Sequence, residues 1–352
     1  MNLMIRPVFF STFLLLMIAA QGQELVYQNQ DSLKPNSYYD AMPNYLTARF
    51  LIFEKYADFN INDNDLNSTI QYNSSPWPSV GIGAGYRWLG VSLSAGLKDP
   101  ADTVYGKKHR IDFQTSFYLR RLTINIYSGI YSGYYLENPN TEIKNWPEGK
   151  YYTRSDIKTT TFGVNCFYVF NSEKYSNKAT FVQNEWQKKS AGSFIAGGTI
   201  LLNKVQADSS LIPANLNTEG FFKDADVAHY VHSYVGSEAG YTFTVVLKKR
   251  LFFNFSIMGG LGVGKTVMTP INSPELSEVK MNVTLHNSAG LGYNSQRFFA
   301  GFSYANIITS TPSPIEETSM GHVTGRFQLV AAYRFKIPEH RNPLPSWVPV
   351  KL

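Results

Sequence analysis

The sequence has a single cysteine, Cys166, so no disulfide can form within the chain. Beyond residue 22 it has no uninterrupted apolar run of the roughly 18 residues that a membrane-spanning helix needs. The histidines show no metal-ligand spacing, since His229 and His232, at i and i+3 of an extended segment, would point to opposite faces. No long segment has the helical period of about 3.6 residues. These absences exclude a disulfide scaffold and a helical membrane protein, and we predict neither a metal site nor a cofactor.

Residues 1–22 are typical of a secretory signal peptide. Arg6 supplies the initial positive charge, Phe9 to Ala20 is almost wholly apolar, and Gly22 places a small residue before the expected cleavage point. We therefore expect cleavage before Gln23 and export of the mature chain. An uncleaved N-terminal anchor is the alternative, but the apolar run is short for a spanning helix.

The chain of 352 residues carries a formal net charge of +6, and 15% of its residues are aromatic. A basic balance can indicate nucleic-acid binding. Here the basic residues do not form one patch; many occupy short joins, where they would lie beside lipid head groups. The aromatic content fits the girdles that Tyr and Trp form at membrane interfaces. We predict outer-membrane lipids as partners, and neither nucleic acid nor nucleotide.

About a dozen segments alternate large apolar residues with small or polar ones, as in Leu251, Phe253, Phe255 and Ile257. Such alternation predicts strands with one apolar face. Every second join is very short, at Arg87-Trp88, Arg120-Arg121, Lys248-Lys249-Arg250 and Ser295-Gln296. The other joins are long and polar, at 62–77, 98–107, 136–150, 207–228, 269–280 and 311–321. Tight turns on one side and long loops on the other are the layout of a transmembrane β-barrel.

We predict an all-β fold, an antiparallel transmembrane β-barrel of about 12 strands with both termini periplasmic. The predicted organisation is a signal peptide at 1–22, an N-terminal periplasmic segment at 23–43, the barrel at 44–336 and a Pro-rich tail at 337–352. Phe335, at the end of the last strand, resembles the terminal Phe that the barrel-insertion machinery reads, and that machinery is a predicted partner. A soluble β-sandwich is the alternative fold, and the regular alternation of long and short joins argues against it.

Three stretches resemble a known protein family: Tyr38–Asp40, Leu46–Phe50 and above all Phe181–Phe194, which reads FVQNEWQKKSAGSF. Over roughly residues 39–335 the chain is similar to bacterial outer-membrane proteins of the family known as domain of unknown function 4421. The run QKKSAGS is the most specific part of the likeness. The resemblance implies an outer-membrane barrel in a Gram-negative envelope. It implies no activity and assigns no functional residues.

Residues 259–266, GGLGVGKT, match the phosphate-loop pattern letter by letter. That motif needs a following helix, whose N-terminus points backbone N–H groups at the phosphates. Pro270 and Pro274 fall in the first turns of that helix, where they would break it. Leu261 and Val263 also keep the alternation of a strand. We therefore predict a glycine-rich strand here and no nucleotide binding.

His286 and Ser288 are the candidate catalytic pair, in a pentad, HNSAG, that resembles the His-x-Ser-x-Gly element of outer-membrane phospholipases. A serine nucleophile needs its His base within hydrogen-bond reach, which side chains at i and i+2 of one strand face can provide. In those enzymes the pair faces lipid. Here Val283, Leu285 and Leu291 hold the outward face, so both side chains would point into the lumen. A lipid hydrolase is therefore an alternative, and the chain is not predicted to be an enzyme.

The leading prediction is a narrow pore or a binding protein for a small solute. A barrel of about 12 strands leaves a lumen between those of filled small barrels and of wide porins. A third alternative is a structural or adhesion barrel that acts through its outer loops, especially 207–228. The sequence leaves open whether loops or the segment 23–43 plug the lumen. Inward charged residues are predicted to line it: Arg49, Arg87, Asp112, Glu185, Lys189, Glu238 and Arg326.

Overall fold

The computed structural model describes residues 38–42, 44–86, 89–97 and 105–338. The predicted signal peptide, residues 23–37 and 43, and the tail from residue 339 lie outside these ranges. Most described residues belong to strands: β1 (Tyr39–Ala41), β2 (Tyr45–Asp63), β3 (Ser68–Ser74), β4 (Ser79–Tyr86), β5 (Leu89–Gly96), β6 (His109–Tyr118), β7 (Leu122–Leu136), β8 (Tyr152–Val169), β9 (Glu185–Gln187), β10 (Ala191–Gln206), β11 (Val227–Leu247), β12 (Leu251–Pro270), β13 (Leu276–Asn294), β14 (Phe298–Pro312) and β15 (Thr318–Lys336).

Within the part of the chain that the structure describes, helical structure is confined to the connections. Two one-turn α-helices, α1 (Pro139–Glu142) and α2 (Asn177–Phe181), and a 3-10 helix at Phe221–Asp224 lie there. Across the described ranges, no helix is both long and apolar enough to cross a membrane.

Antiparallel pairing closes ten strands into a ring. The first long strand, β2, pairs with the last, β15, from Tyr45–Lys336 to Asp63–Thr318. The ring is completed by β3 and β7, which pair only through residues 72–74 and 134–136. Its members are β2, β3, β7, β8 and β10 to β15. Beside this junction β4 pairs with β2, β5 with β4, and β6 with β7. The predicted all-β barrel is therefore confirmed, whereas a ring of about 12 strands is not.

The two ends of the barrel have different connections. We call the end where β2 begins and β15 ends the turn end; it has the short turns 119–121, 248–250 and 295–297. The opposite end, the loop end, carries the long connections 137–151 and 207–226.

Three loops predicted to be long are instead tight turns. The chain reverses within 64–67, 271–275 and 313–317, so the predictions of loops at 62–77, 269–280 and 311–321 are wrong. The strands continue through most of these stretches. On β3, for example, Thr69, Gln71 and Asn73 occupy the outward face near the loop end. The apolar alternation that identifies a strand is lost there, although the backbone pairing is not.

The two faces of the wall differ as the sequence predicts. Along β12, exposed and buried residues alternate almost without exception from Leu251 to Pro270. Its outward face carries Leu251, Phe253, Phe255, Ile257, Leu261 and Val263, each between 43% and 62% exposed. The motif GGLGVGKT lies within this strand, as predicted. The outward face of the wall is therefore apolar, whereas the lumen face carries polar and small residues together with buried apolar ones such as Phe252 and Met258.

Both ends of the lumen are filled by the chain itself. At the loop end, a buried apolar cluster includes Phe59, Tyr72, Tyr134, Leu211 and Phe222; we call it the loop-end cluster. At the turn end, residues 170–190 connect β8 to β10 and carry α2 and β9; we call them the turn-end plug. In this plug β9 pairs with β1 near the N-terminus.

Candidate functional site in the barrel lumen

A cavity of about 230 Å³ lies inside the barrel, between the loop-end cluster and the turn-end plug. Ala57 and Tyr131 of the cluster and Asn177 and Phe181 of the plug all contribute to its lining. The Oδ1 atom of Asn306 is buried beside it without a hydrogen-bond partner in the protein. A polar atom in that situation needs water or a bound solute. Polar lining residues include Lys55, Asp112, Gln114, Asn165, His286, Ser288, Asn306 and Arg326.

One side of the cavity carries a surplus of positive charge. Lys55 of β2 forms an ion pair with Asp112 of β6, and Arg110 Nε lies 3.4 Å from the same carboxylate. Arg326 donates from Nη1 to Gln114 Oε1 at 3.3 Å and has no carboxylate partner among the described residues. Arg110 and Arg326 are both close enough to Lys55 to repel it electrostatically. We call Lys55, Arg110 and Arg326, with the carboxylate of Asp112, the basic cluster; a second carboxylate, that of Glu54 on the other face of β2, also attracts Arg110.

Arg110 also links β6 to β2, to Trp77 and to β4. Its Nη1 donates to the backbone oxygen of Lys55 at 3.1 Å. Its Nη2 donates to the backbone oxygen of Trp77 at 3.2 Å and to Ser79 Oγ at 2.7 Å. These bonds hold the positive charges of β2 and β6 in fixed positions, because each donor has a defined acceptor.

A second polar group occupies another part of the wall. Glu238 Oε1 accepts a hydrogen bond from Thr284 Oγ1 at 2.9 Å, and His286 Nε2 lies 3.1 Å from the same oxygen, out of line for a hydrogen bond. The His286 ring packs edge-on against Phe167 at 5.7 Å. Ser288 lines the cavity, but no hydrogen bond joins it to His286 in the described part of the chain. The arrangement is a carboxylate–histidine pair without a serine in contact.

The turn-end plug is tied to the wall by buried polar groups. Arg334, which is 1% exposed, donates from Nε to the backbone oxygen of Gln183 at 2.6 Å. Its other nitrogens donate to the backbone oxygen of Ser295 and to Asn294 Oδ1. Asn294 Nδ2 in turn donates to the backbone oxygen of Glu185 at 3.1 Å. Arginine suits this position because its rigid fork satisfies several acceptors at once.

Four of the predicted lumen-lining residues lie at three different places in the wall. Asp112 and Arg326 line the cavity, and Glu238 lies in the wall beside His286. Arg49 donates to the backbone oxygen of Ala84 at 3.1 Å, on the turn-end half of β2.

The other predicted charges lie away from the cavity. Glu185 is in the turn-end plug, 3.4 Å from Arg120 Nη1, and Lys189 is exposed at the turn end, with its Nζ 5.3 Å from the ring centre of Tyr38. Arg87 lies outside the described residues.

Two residues of the basic cluster were not predicted from the sequence. Lys55 was not singled out, although it shares the inward parity of Leu51 and Phe53 on β2. Arg110 alternates with apolar residues on β6, but its contacts reach strands that are distant in sequence. The alternation of inward and outward residues could have identified both residues. Their grouping into one charged cluster depends on the strand order of the barrel, which the alternation does not give. In the ranges described, no three His, Cys, Asp or Glu side chains converge as a metal site.

Three solved structures show distant similarity to this chain. The outer-membrane protease OmpT of Escherichia coli aligns over 86% of this chain and 100% of its own, at 8% identity and a TM-score of 0.41. Ail of Yersinia pestis aligns over 82% and 98%, at 10% identity and a TM-score of 0.22. A FadL homologue of Pseudomonas aeruginosa aligns over 86% and 95%, at 10% identity and a TM-score of 0.26. These values are too low to transfer any activity.

Sequence comparison gives a family and no activity. No curated protein matches the sequence. The family model described as a domain of unknown function, DUF4421, matches residues 29–335. This span covers most of the chain and includes the stretches that suggested the resemblance. The chain therefore belongs to the DUF4421 family.

Proposed function

We propose that this protein is an outer-membrane β-barrel that binds a small anionic solute in a closed lumen. The outward apolar belt supports the membrane location, because large exposed apolar surfaces on a barrel wall are stable when they face lipid. If β3 and β4 are taken as one strand interrupted at residues 75–78, the wall has 12 strands. An even number of strands, with short turns at the terminal end, supports a periplasmic position for both termini.

The observation that carries this proposal is a cavity with surplus positive charge on one side, closed at both ends. The loop-end cluster fills one end and the turn-end plug the other. A steady axial pore would need a continuous aqueous path, which these two elements interrupt. An anion in the cavity would offset the repulsion among Lys55, Arg110 and Arg326. Binding is therefore favoured over conduction.

The two alternatives have less support. A hydrolase would need Ser288 hydrogen-bonded to His286, and no such bond joins them among the described residues, although Glu238 lies beside the histidine. An adhesion role would rest on the connection 207–226, and that segment packs Leu211 and Phe221 inward, into the loop-end cluster. We therefore assign neither catalysis nor adhesion.

The proposal is tested with the refolded full-length protein, whose folding is checked by its heat-dependent gel mobility. In a planar bilayer we expect no discrete conductance steps; steady steps would overturn the closed lumen. Acetate, but not an ethylammonium salt at equal ionic strength, should raise the unfolding temperature, because a ligand that binds only the folded state stabilises it. Arg326→Gln should abolish this rise, whereas Arg297→Gln, which alters an exposed arginine at the turn end, should retain it. Equal stabilisation by both salts would refute anion binding.

A further inference from the structure

The described residues leave an opening in the barrel wall between β5 and β6. Each of these strands is paired on one edge, β5 with β4 and β6 with β7, and no pairing joins β5 to β6 among the described residues. The ring closes beside this opening through the short β3–β7 junction. The half of the wall near the turn end therefore has this opening, which we call the slot. The half near the loop end is continuous.

Solvent exposure marks the same opening. Every residue from Ser92 to Leu97 on and after β5 is exposed, whichever face it occupies. On the fully paired strand β12 the inward residues are buried. Leu93 and Phe113, which flank the slot on the two strands, are 73% and 62% exposed and belong to the outward apolar belt. The slot therefore lies at the level of the membrane.

A tryptophan side chain occupies one end of the slot. A Cβ atom added to Gly96 of β5 would overlap the Trp77 indole, so the ring lies directly against this glycine. The guanidinium of Arg110 on β6 lies 5.7 Å from the centre of the same ring. Trp77 thus contacts both β5 and β6. Its side chain bridges the distance that backbone hydrogen bonds would otherwise bridge.

Unpaired strand edges are costly in hydrocarbon. A backbone N–H or C=O group without a partner there costs several kcal/mol, so such edges are tolerated where they line a polar cavity. This slot has that character, because Phe113 on its edge and Lys55, Asp112, Gln114 and Arg326 line one continuous cavity. The slot connects the lipid-facing side of the wall with the basic cluster.

We propose that the slot between β5 and β6 is a lateral entrance for a single-chain amphiphile with an anionic head group. The head group binds the basic cluster, with Arg326 as its main charge partner, and the alkyl chain extends past Phe113 toward the lipid. The free edges of β5 and β6 supply hydrogen-bond partners to the head group during passage. The inference rests on the proposed anion-binding lumen and specifies both the ligand class and its route.

The test compares dodecanoate with dodecanol, which has the same chain length and no charge, by native mass spectrometry of the full-length barrel in a neutral detergent. We expect dodecanoate to be retained at least about tenfold better, as loss of one charge-assisted hydrogen bond predicts. Arg326→Gln should reduce dodecanoate binding by a similar factor, and Arg297→Gln should not change it. Equal retention of the two amphiphiles would overturn the head-group assignment.

The route is tested by blocking the slot. In a Cys166→Ala background, Ser94→Cys places a thiol on β5 at the slot, and Leu261→Cys places one on the paired wall of β12. A bulky maleimide at position 94 should abolish dodecanoate uptake, and one at position 261 should leave it intact. If acetate still stabilises the protein through Arg326 while the block at 94 has no effect on dodecanoate, the lateral entrance is wrong and the anion site stands. If neither anion binds, the anion site itself is wrong.

Discussion

Arg334 Nε donates a hydrogen bond to the backbone oxygen of Gln183 at 2.6 Å, and this bond joins the last strand of the barrel to the turn-end plug. The two residues are separated by 151 positions, so the contact exists only once the barrel has closed. Because the guanidinium is buried and serves three acceptors, it fixes the plug, the β13–β14 turn and β15 relative to one another.

Replacing Arg334 should release the plug. Arg334→Ala removes the donor from three acceptors, two of them in buried contacts, and we expect it to lower the free energy of unfolding by about 3 kcal/mol or more. Trypsin should then cleave after Lys178, a half-buried residue of α2, much faster than in the wild type. Arg297→Ala changes an exposed arginine at the neighbouring turn and should leave cleavage slow. An intact plug in Arg334→Ala would show that this contact does not hold it.

The packing of Gly96 against Trp77 gives a second prediction. Gly96→Ala places a methyl group in the volume of the indole and should destabilise the barrel by about 1–3 kcal/mol, measured by urea unfolding in detergent. Gly259→Ala is the matched control, since a Cβ there meets open space. The double variant Trp77→Ala/Gly96→Ala should be no less stable than Trp77→Ala alone, because the clash is gone. Additive losses would contradict direct packing.

Much of the wall could be predicted from the sequence, because lipid-facing and lumen-facing residues follow a period of two. On β12, Phe253 and Phe255 are exposed, and Asn254 and Ser256 are buried between them. Alternation fails where the outward face becomes polar. It missed β3 for that reason, since Thr69, Gln71 and Asn73 occupy the outward face there.

The candidate site was less predictable than the wall. Glu185 alternates with its neighbours like a residue of the wall, yet it lies in a segment that folds back into the turn end. Buried polar residues in a lumen have the same composition as residues in a solvated loop, so the sequence does not separate the two. The slot depends on which strands pair, and pairing is set by topology and not by the pattern of either strand alone.

Glu238 and His286 form a carboxylate–histidine pair. Because of this pair, we expect different results when Glu238 and Ser288 are replaced. Glu238→Ala leaves Thr284 Oγ1 and His286 without the carboxylate and should lower the free energy of unfolding by about 1–3 kcal/mol. Ser288→Ala should change it by less than about 0.5 kcal/mol, since no hydrogen bond joins Ser288 to the pair among the described residues. Phospholipid hydrolysis should stay at background in the wild type and in Ser288→Ala. Activity that disappears in Ser288→Ala would establish the hydrolase alternative instead.

The loop-end closure depends on a buried carboxylate. Asp63, which is 1% exposed, accepts hydrogen bonds from the backbone N–H groups of Phe222 at 2.8 Å and of Leu66 at 3.0 Å. Phe222 begins a run of three non-glycine residues with φ between 54° and 58°. Such backbone geometry costs on the order of 1 kcal/mol per residue and persists only where neighbouring contacts hold it. Asp63 is the contact that holds this run in place.

Asp63→Ala should therefore free the connection 207–226 while leaving the barrel folded. We expect trypsin to cleave after Lys223 at least about tenfold faster, as the loss of one or two hydrogen bonds to a carboxylate predicts. Asp65→Ala removes only the exposed ion pair between Asp65 and Lys223, and such pairs contribute little, so cleavage should change by less than about threefold. Equal acceleration by both variants would mean that the surface pair, and not the buried carboxylate, secures the loop-end cluster.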